Sequence, residues 1–218
     1  MMEDGVAKER VLKAIINALE VKDGFDQQLR QDIADDFFPP IAPDAAPLTF
    51  AENFVDNGGT FIFCEDSNDM INKLQMTVKK YNLDNIFCNK SVIKAYLEQA
   101  ALLYKQDIDS HDAYDTGIMF CECLVARHGS VVVSAASKTD AKLLSASNNI
   151  IFIANIGQVV SEIKDTIKLL KDKYYNSFPP YITMLTGPSK TNSIENQLVV
   201  GGQGAKKIFL FLINETQH

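Results

Sequence analysis

The sequence predicts an α/β fold, a mostly parallel sheet with helices on both faces, preceded by an N-terminal helical lead and carrying a β-hairpin insertion. Three observations carry this expectation. Short apolar runs suited to buried strands recur at 60–64, 85–88, 150–154 and 207–213. Segments with apolar residues at helical spacing lie between them, as strand and crossover helix alternate in a parallel sheet. Two adjacent apolar runs, roughly 117–126 and 129–134, meet at a turn as a hairpin would.

Taken in chain order, Val11, Leu12, Ile15, Ile16 and Leu19 repeat at the period of an amphipathic helix, and Leu29, Ile33 and Phe37 extend the rhythm into a second, more acidic one. Phe38-Pro39-Pro40-Ile41-Ala42-Pro43, with Pro47 beyond, forbids helix and favours an extended arm. This arm is either a connector packing Phe37 and Ile41 onto the core or a segment exchanged between copies of a homo-oligomer. The chain is read as one domain, 1–218, with 1–47 as lead and arm and 48–218 as core.

In the core, Thr49 and Glu52 stand at capping-box spacing, and Gly58-Gly59 closes a short helix before the strand at 60–64. Ile71, Leu74, Val78 and Tyr81 line one helical face, and Ile93, Tyr96, Leu97 and Ala100 line another. After the hairpin and the strand at 150–154, Val160, Ile163, Ile167 and Leu170 mark a further helix. Strands at 181–185 and 207–213 close the chain.

Composition narrows the function. The 218 residues are 46% apolar with a net charge of −7, enough for one substantial core and repulsive toward polyanions, so no nucleic-acid role is expected. No segment approaches eighteen uninterrupted apolar residues and the start has no signal-like block, which predicts a soluble, cytoplasmic protein with no membrane role. Cys64, Cys88, Cys121 and Cys123 lack C-x-x-C or ferredoxin-like spacing, and His111, His128 and His218 are scattered. No metal site is expected, and the cofactor is left unassigned, with no iron–sulfur ligands in this chain. The cysteines read as reduced core residues, Cys121 and Cys123 pointing to one face of a strand.

Thr186-Gly187-Pro188-Ser189-Lys190-Thr191 is the chemically richest segment. It reads as a strand end and tight turn, with Asn192 and Glu195 at capping-box spacing opening a short helix. Unpaired amides at such a helix start, with the hydroxyls of Ser189 and Thr191 and the Lys190 ammonium, would hold a small anion, a carboxylate or phosphate. Ordinary solvated loops share these features. In open parallel sheets ligands lie beyond the carboxyl ends of the strands, so this turn is expected on one rim with Asp66 and Asn89. Glu195 is read as a cap, or as a group that also orients Lys190 or a bound water.

The run from Gly187 to Ile213 resembles the closing motif of the lactate-utilisation (LUD) domain family, in particular its short, cluster-free LutC/YkgG-type members. That motif is approximately G-P-S-x-T-x-D-I-E, then G-x-H-G-P and a terminal apolar strand. Gly187, Pro188, Ser189, Thr191, Ile194, Glu195, Gly201 and Gly204 match, while Ser193, Gln203 and Ala205 replace Asp, His and Pro. A fainter match, Gly117 to Ser134, sets Glu122 before a turn, Ala126-Arg127-His128-Gly129, in which Arg127 replaces a Glu.

The resemblance implies a NagB/RpiA/CoA-transferase-like fold and ligand binding around Gly187, Pro188, Ser189, Lys190, Thr191, Asn192, Gly201 and Gly204. It further implies an accessory, cluster-free role in bacterial L-lactate oxidation to pyruvate, beside iron–sulfur partner proteins. The alternatives are an enzyme of the sugar-phosphate isomerase or CoA-transferase type, with Glu122 or Glu195 as base or nucleophile, and a non-catalytic interaction module with a vestigial pocket.

Overall fold

The computed structural model of the chain describes residues 39–105, 115–134, 138–192, 198–200 and 204–215. The chain divides into two compact units, Met1–Pro40 and Ile41–His218. Both helices expected before Phe38 lie outside the described residues.

Helix α1 (Ala46–Asp56) opens the second unit with Pro47 in its first turn. A proline is tolerated there because the amide it lacks has no intrahelical partner, so Pro47 starts a helix where the sequence suggested an extended arm. Thr49 lies inside α1 and bonds the Ala45 carbonyl at 3.0 Å, so the Thr49–Glu52 capping box does not form. Strand β1 (Thr60–Cys64), helix α2 (Ser67–Tyr81), strand β2 (Ile86–Phe87), helix α3 (Ser91–Gln99) and strand β3 (Thr116–Phe120) follow. Next come β4 (Cys123–Val125), a 3-10 turn (Ala126–His128), β5 (Ser130–Ser134), α4 (Lys138–Ala146), β6 (Asn149–Asn155) and β7 (Val159–Val160). Helix α5 (Ile163–Lys173) and strands β8 (Ile182–Leu185), β9 (Lys190–Asn192), β10 (Leu198–Val200) and β11 (Lys207–Ile213) complete the order.

Five strands form a wholly parallel sheet in the order β1-β11-β6-β3-β2. Its two faces are covered separately, as the alternation of side chains along a strand requires. Ile208, Leu210 and Leu212 of β11, with Ile150 and Phe152 of β6, pack under Phe50 and Phe54 of α1 and Leu143 of α4. Phe209 and Phe211, with Ile151 and Ile153, face Met70 and Leu74 of α2 and Ile93 and Leu97 of α3. The expected α/β architecture is therefore present, with β11 and β6 as its buried centre.

A second sheet runs β7-β4-β5-β8, with β4 and β5 as the expected hairpin. The segment read as one strand over 117–126 belongs to both sheets: β3 ends at Phe120, the chain bends at Cys121-Glu122, and β4 starts at Cys123. The bend puts the Cys121 and Cys123 side chains into different core clusters, correcting the expectation of a shared face. Strand β8 pairs antiparallel with β5, and its residues are largely exposed. It is an edge strand of the smaller sheet where the sequence suggested a buried parallel one. Helix α5 buries Thr166 and Leu170 and exposes Ile163 and Ile167, so its inner face is turned from the one its apolar spacing marked.

The Thr186–Asn192 region differs most from expectation. Lys190–Asn192 is a strand paired antiparallel with Leu198–Val200, Lys190 opposite Val200 and Asn192 opposite Leu198. Asn192 is thus a strand residue and not a helix cap, and 193–197, where the expected helix would begin, lie outside the described residues. The capping-box spacing is a local signal, and pairing with the apolar Leu198-Val199-Val200 run overrides it.

Candidate functional site

Parallel strands bring their carboxyl ends to one rim, where β1, β2, β3, β6 and β11 deliver Cys64-Glu65-Asp66, Cys88-Asn89, Cys121-Glu122, Asn155 and Asn214-Glu215. Two cavities open there. One, of about 340 Å³, is lined by Tyr96, Phe120, Asn155, Gln158, Lys173 and Glu215 among others. The second, of about 220 Å³, is lined by Lys90, Glu122, Ser134, Asp140, Lys173 and Tyr174 over an apolar floor that includes Met119 and Val133. They share Phe120, Cys121 and Lys173. The described lining of a further hollow, of about 530 Å³, is Ala51, Glu52, Asn53, Val55 and Asp56 of α1.

Glu122 is the hub of the rim. Its backbone amide donates to the Val132 carbonyl at 2.7 Å, fixing the bend between the two sheets. The side chain is only 9% exposed. Its Oε1 accepts from Tyr174 Oη at 2.6 Å and from the Ser134 hydroxyl, and its Oε2 accepts from Lys173 Nζ at 2.7 Å. Burial pushes the Glu122 carboxyl up, but the bonds from Lys173, Ser134 and Tyr174 outweigh it and hold the group below the usual carboxylate range. For Lys173, partial burial lowers the ammonium and the Glu122 contact more than restores it. Gln158 supports the bend from the 3-10 turn Ile156–Gln158 that follows β6: its Oε1 accepts from the Asn155 amide at 2.8 Å, while Nε2 donates to the Cys121 and Glu122 carbonyls at 2.9 and 3.2 Å.

Opposite Glu122, Asp140 is buried in the first turn of α4 and accepts from Asn89 Nδ2 at 2.8 Å. Lys90 Nζ stands 3.8 Å from Asp140 Oδ2, beyond hydrogen-bond range. The Asn89 Oδ1 is buried without a hydrogen-bond partner, which costs free energy while it stays unsatisfied. Asp66, expected on this rim, is there, but its carboxylate caps α2 by accepting from the Asp69 amide at 2.8 Å. Among the described residues no group of three or more His, Cys, Asp and Glu is placed to hold a metal ion.

The Gly187–Lys190 turn lies at the other end of the parallel sheet. The Ser189 amide donates to the Ala205 carbonyl at 2.9 Å, just before β11 starts, and Pro188 lies against Gly58, just before β1 starts. Four to five strand rises separate this edge from Glu122, roughly 15 Å. The turn therefore does not share a rim with Asp66 and Asn89, because β8, which leads into it, belongs to the antiparallel sheet. Nor does it form one site with Glu122. Gly204 abuts Ser189 at this edge, and Thr191 and Asn192 belong to β9; Glu195 and Gly201 lie outside the described residues.

The partners of Glu122 escaped the sequence. Ser134, Lys173 and Tyr174 lie 12, 51 and 52 residues away and no short motif joins them. Only the adjacent Lys173-Tyr174 at a helix end offered a signal.

Fold and site together define an α/β protein with a ligand-sized cleft at the carboxyl rim of a parallel sheet, built around a neutralised carboxylate. The LUD domain family model matches residues 48–213. The chain belongs to the LUD domain family. Lactate utilization protein C of Bacillus velezensis is 27% identical over 112 residues, 50% of this chain and 46% of that protein, so the match spans less than half of the relative's length. A crystal structure of a DUF162 family protein from Deinococcus radiodurans shares the fold, with a TM-score of 0.59 at 15% identity over 80% of this chain and all of that one. No helix among the described residues is long and apolar enough to cross a membrane.

Proposed function

We propose that this protein is a binding component of lactate utilisation that holds a small 2-hydroxy or 2-oxo carboxylate at the carboxyl rim, in the cytoplasm, while iron–sulfur partners carry the electrons. The name of the Bacillus velezensis relative supports the process. The observation that carries the ligand class is the smaller cavity, in which Lys90 and Lys173 flank an apolar floor. Glu122 neutralises Lys173 at 2.7 Å, whereas Asp140 holds Lys90 only at 3.8 Å. A ligand carboxylate can take Lys90 as its cation.

An isomerase or CoA-transferase reading draws less support. A carboxylate that already accepts three hydrogen bonds and sits below its ordinary range is a weakened base and nucleophile. The turn at 187–190, cast in that reading as a phosphate holder, is roughly 15 Å away.

Thermal unfolding with L-lactate, pyruvate and inorganic phosphate tests the proposal. A carboxylate at 100 times its dissociation constant should stabilise by about 2.7 kcal/mol. Lys90→Ala should weaken that binding at least tenfold, about 1.4 kcal/mol, while Ser189→Ala with Lys190→Ala leaves it unchanged. Loss in the loop variant but not in Lys90→Ala would move the ligand to the 187–190 turn. No response to either carboxylate would end the binding proposal.

A further inference from the structure

We propose that the outer edge of β8, with the aromatic segment leading into it, is the interface of a two-fold homodimer. Strand β8 pairs with β5 on one side, and on the other no described strand meets it. An open edge of this kind is a template for another strand. Around it, Tyr175 is 88% exposed, Phe178 51%, Tyr181 71%, Ile182 38% and Met184 44%, so the large apolar residues of this stretch face outward together with the unpaired edge.

Charge argues for a second copy as the occupant. All sixteen residues from Tyr174 to Ser189 are uncharged, in a chain that is 22% charged with a net −7. Two copies repel each other through most of their surfaces, and this is a face on which they can meet without opposing like charges. The available area also suits a dimer. With aromatic side chains worth about 150–250 Å² each, the exposed shares of Tyr175, Phe178 and Tyr181 come to roughly 400 Å² per copy, and Ile182 and Met184 bring a pair of copies to roughly 1,000 Å², the lower bound for a specific interface. Backbone pairing adds to that.

The ends of the strand limit how far such pairing runs. Pro179-Pro180 precede β8 and Gly187-Pro188 follow it. Prolines donate no ladder hydrogen bond, so the shared ladder stays about one short strand long. Antiparallel pairing of β8 with its own copy is isologous and closes at two subunits.

The test is the mass of the full chain in solution by sedimentation equilibrium at micromolar concentration, with Met184→Glu and Tyr181→Glu alongside. Twice 24.2 kDa, about 48 kDa, is expected for the unaltered chain, with association strengthened by salt, which screens the repulsion between acidic copies. Each substitution places two like charges across the two-fold axis and should weaken association at least tenfold. Both positions are exposed, and far-ultraviolet circular dichroism should be unchanged. Phe178→Ser, which adds no charge, should weaken the dimer through lost area alone. A chain that stays at 24.2 kDa, a dimer indifferent to all three substitutions, or a dimer dissociated by salt would each overturn the proposal.

Discussion

Gly187 sits so close to Asn57 that a Cβ on it would lie 2.2 Å from the Asn57 carbonyl oxygen. Its φ of +80° is also one that side chains of L residues resist. Gly129, with φ +59°, meets the same helix one turn earlier, where a Cβ would stand 2.4 Å from the Asn53 carbonyl carbon. Asn53 and Asn57 donate to the Ala126, Arg127 and His128 carbonyls of the adjoining 3-10 turn. The glycine of the most conspicuous motif therefore seats the end of α1. Gly187→Ala is expected to destabilise the fold by about 2–4 kcal/mol through strain and overlap, read as a lower urea midpoint. Gly204→Ala meets no atom nearer than 3.5 Å and tests the φ of +127° alone, so its effect should be smaller.

Glu122 makes stability depend on pH with a definite sign. Its folded carboxyl lies below the unfolded value of about 4.3. A depressed folded pKa adds stability that is fully present above the unfolded pKa and is lost as pH falls through the folded one. Glu122→Gln removes this term. The difference in urea midpoint between the unaltered chain and Glu122→Gln should be constant near neutrality and shrink below about pH 4.3. A difference that grew on acidification would show that the carboxyl is not held ionised.

The four thiols should be inert in the native state. Burial pushes Cys64 up to about 12 and Cys88 up to about 11, and raises Cys121 and Cys123 as well. The thiolate is the reactive form, so alkylation at pH 8 should label none of the four in the folded chain and all four in denaturant. Rapid native labelling of Cys121, which lines both rim cavities, would mean that the rim opens far more than its 6% exposure indicates.

What was legible in the sequence was burial along a single element. Apolar periodicity reports which face meets the core, and the faces of α2 and α3 and the strands β6 and β11 follow it because both sheet faces are covered. Which sheet a strand joins is a long-range fact. Tyr181-Ile182-Thr183-Met184-Leu185 alternates like a buried strand yet lies on an exposed edge. The apolar character of 117–126, interrupted by Glu122, hid a change of sheet whose one sign was that glutamate. Glu122 stood out as a candidate through its resemblance to the acidic residue before the family's turn, and a carboxylate in an apolar run needs partners. Their identity depends on α5 folding back, which no local spacing encodes.

Arg127 replaces the Glu that the family pattern has at this turn, and the fold compensates. Its guanidinium donates through Nε to Glu162 Oε1 at 2.6 Å, and its amide donates to the Ser161 carbonyl at 3.2 Å. Glu162 begins α5, where its own amide donates to Asp165 Oδ2 at 3.0 Å. The pair thus ties the turn after β4 to the helix that carries Lys173 to Glu122. Both side chains are mostly buried, so the contact is worth more than a solvated ion pair. Arg127→Glu would set two carboxylates together and should cost about 2–3 kcal/mol. Glu162→Arg in the same chain restores opposite charges and should recover most of that loss. Urea unfolding of the two single variants and the double reads the coupling directly. Additive losses would mean that the turn and the helix are held together by the backbone alone.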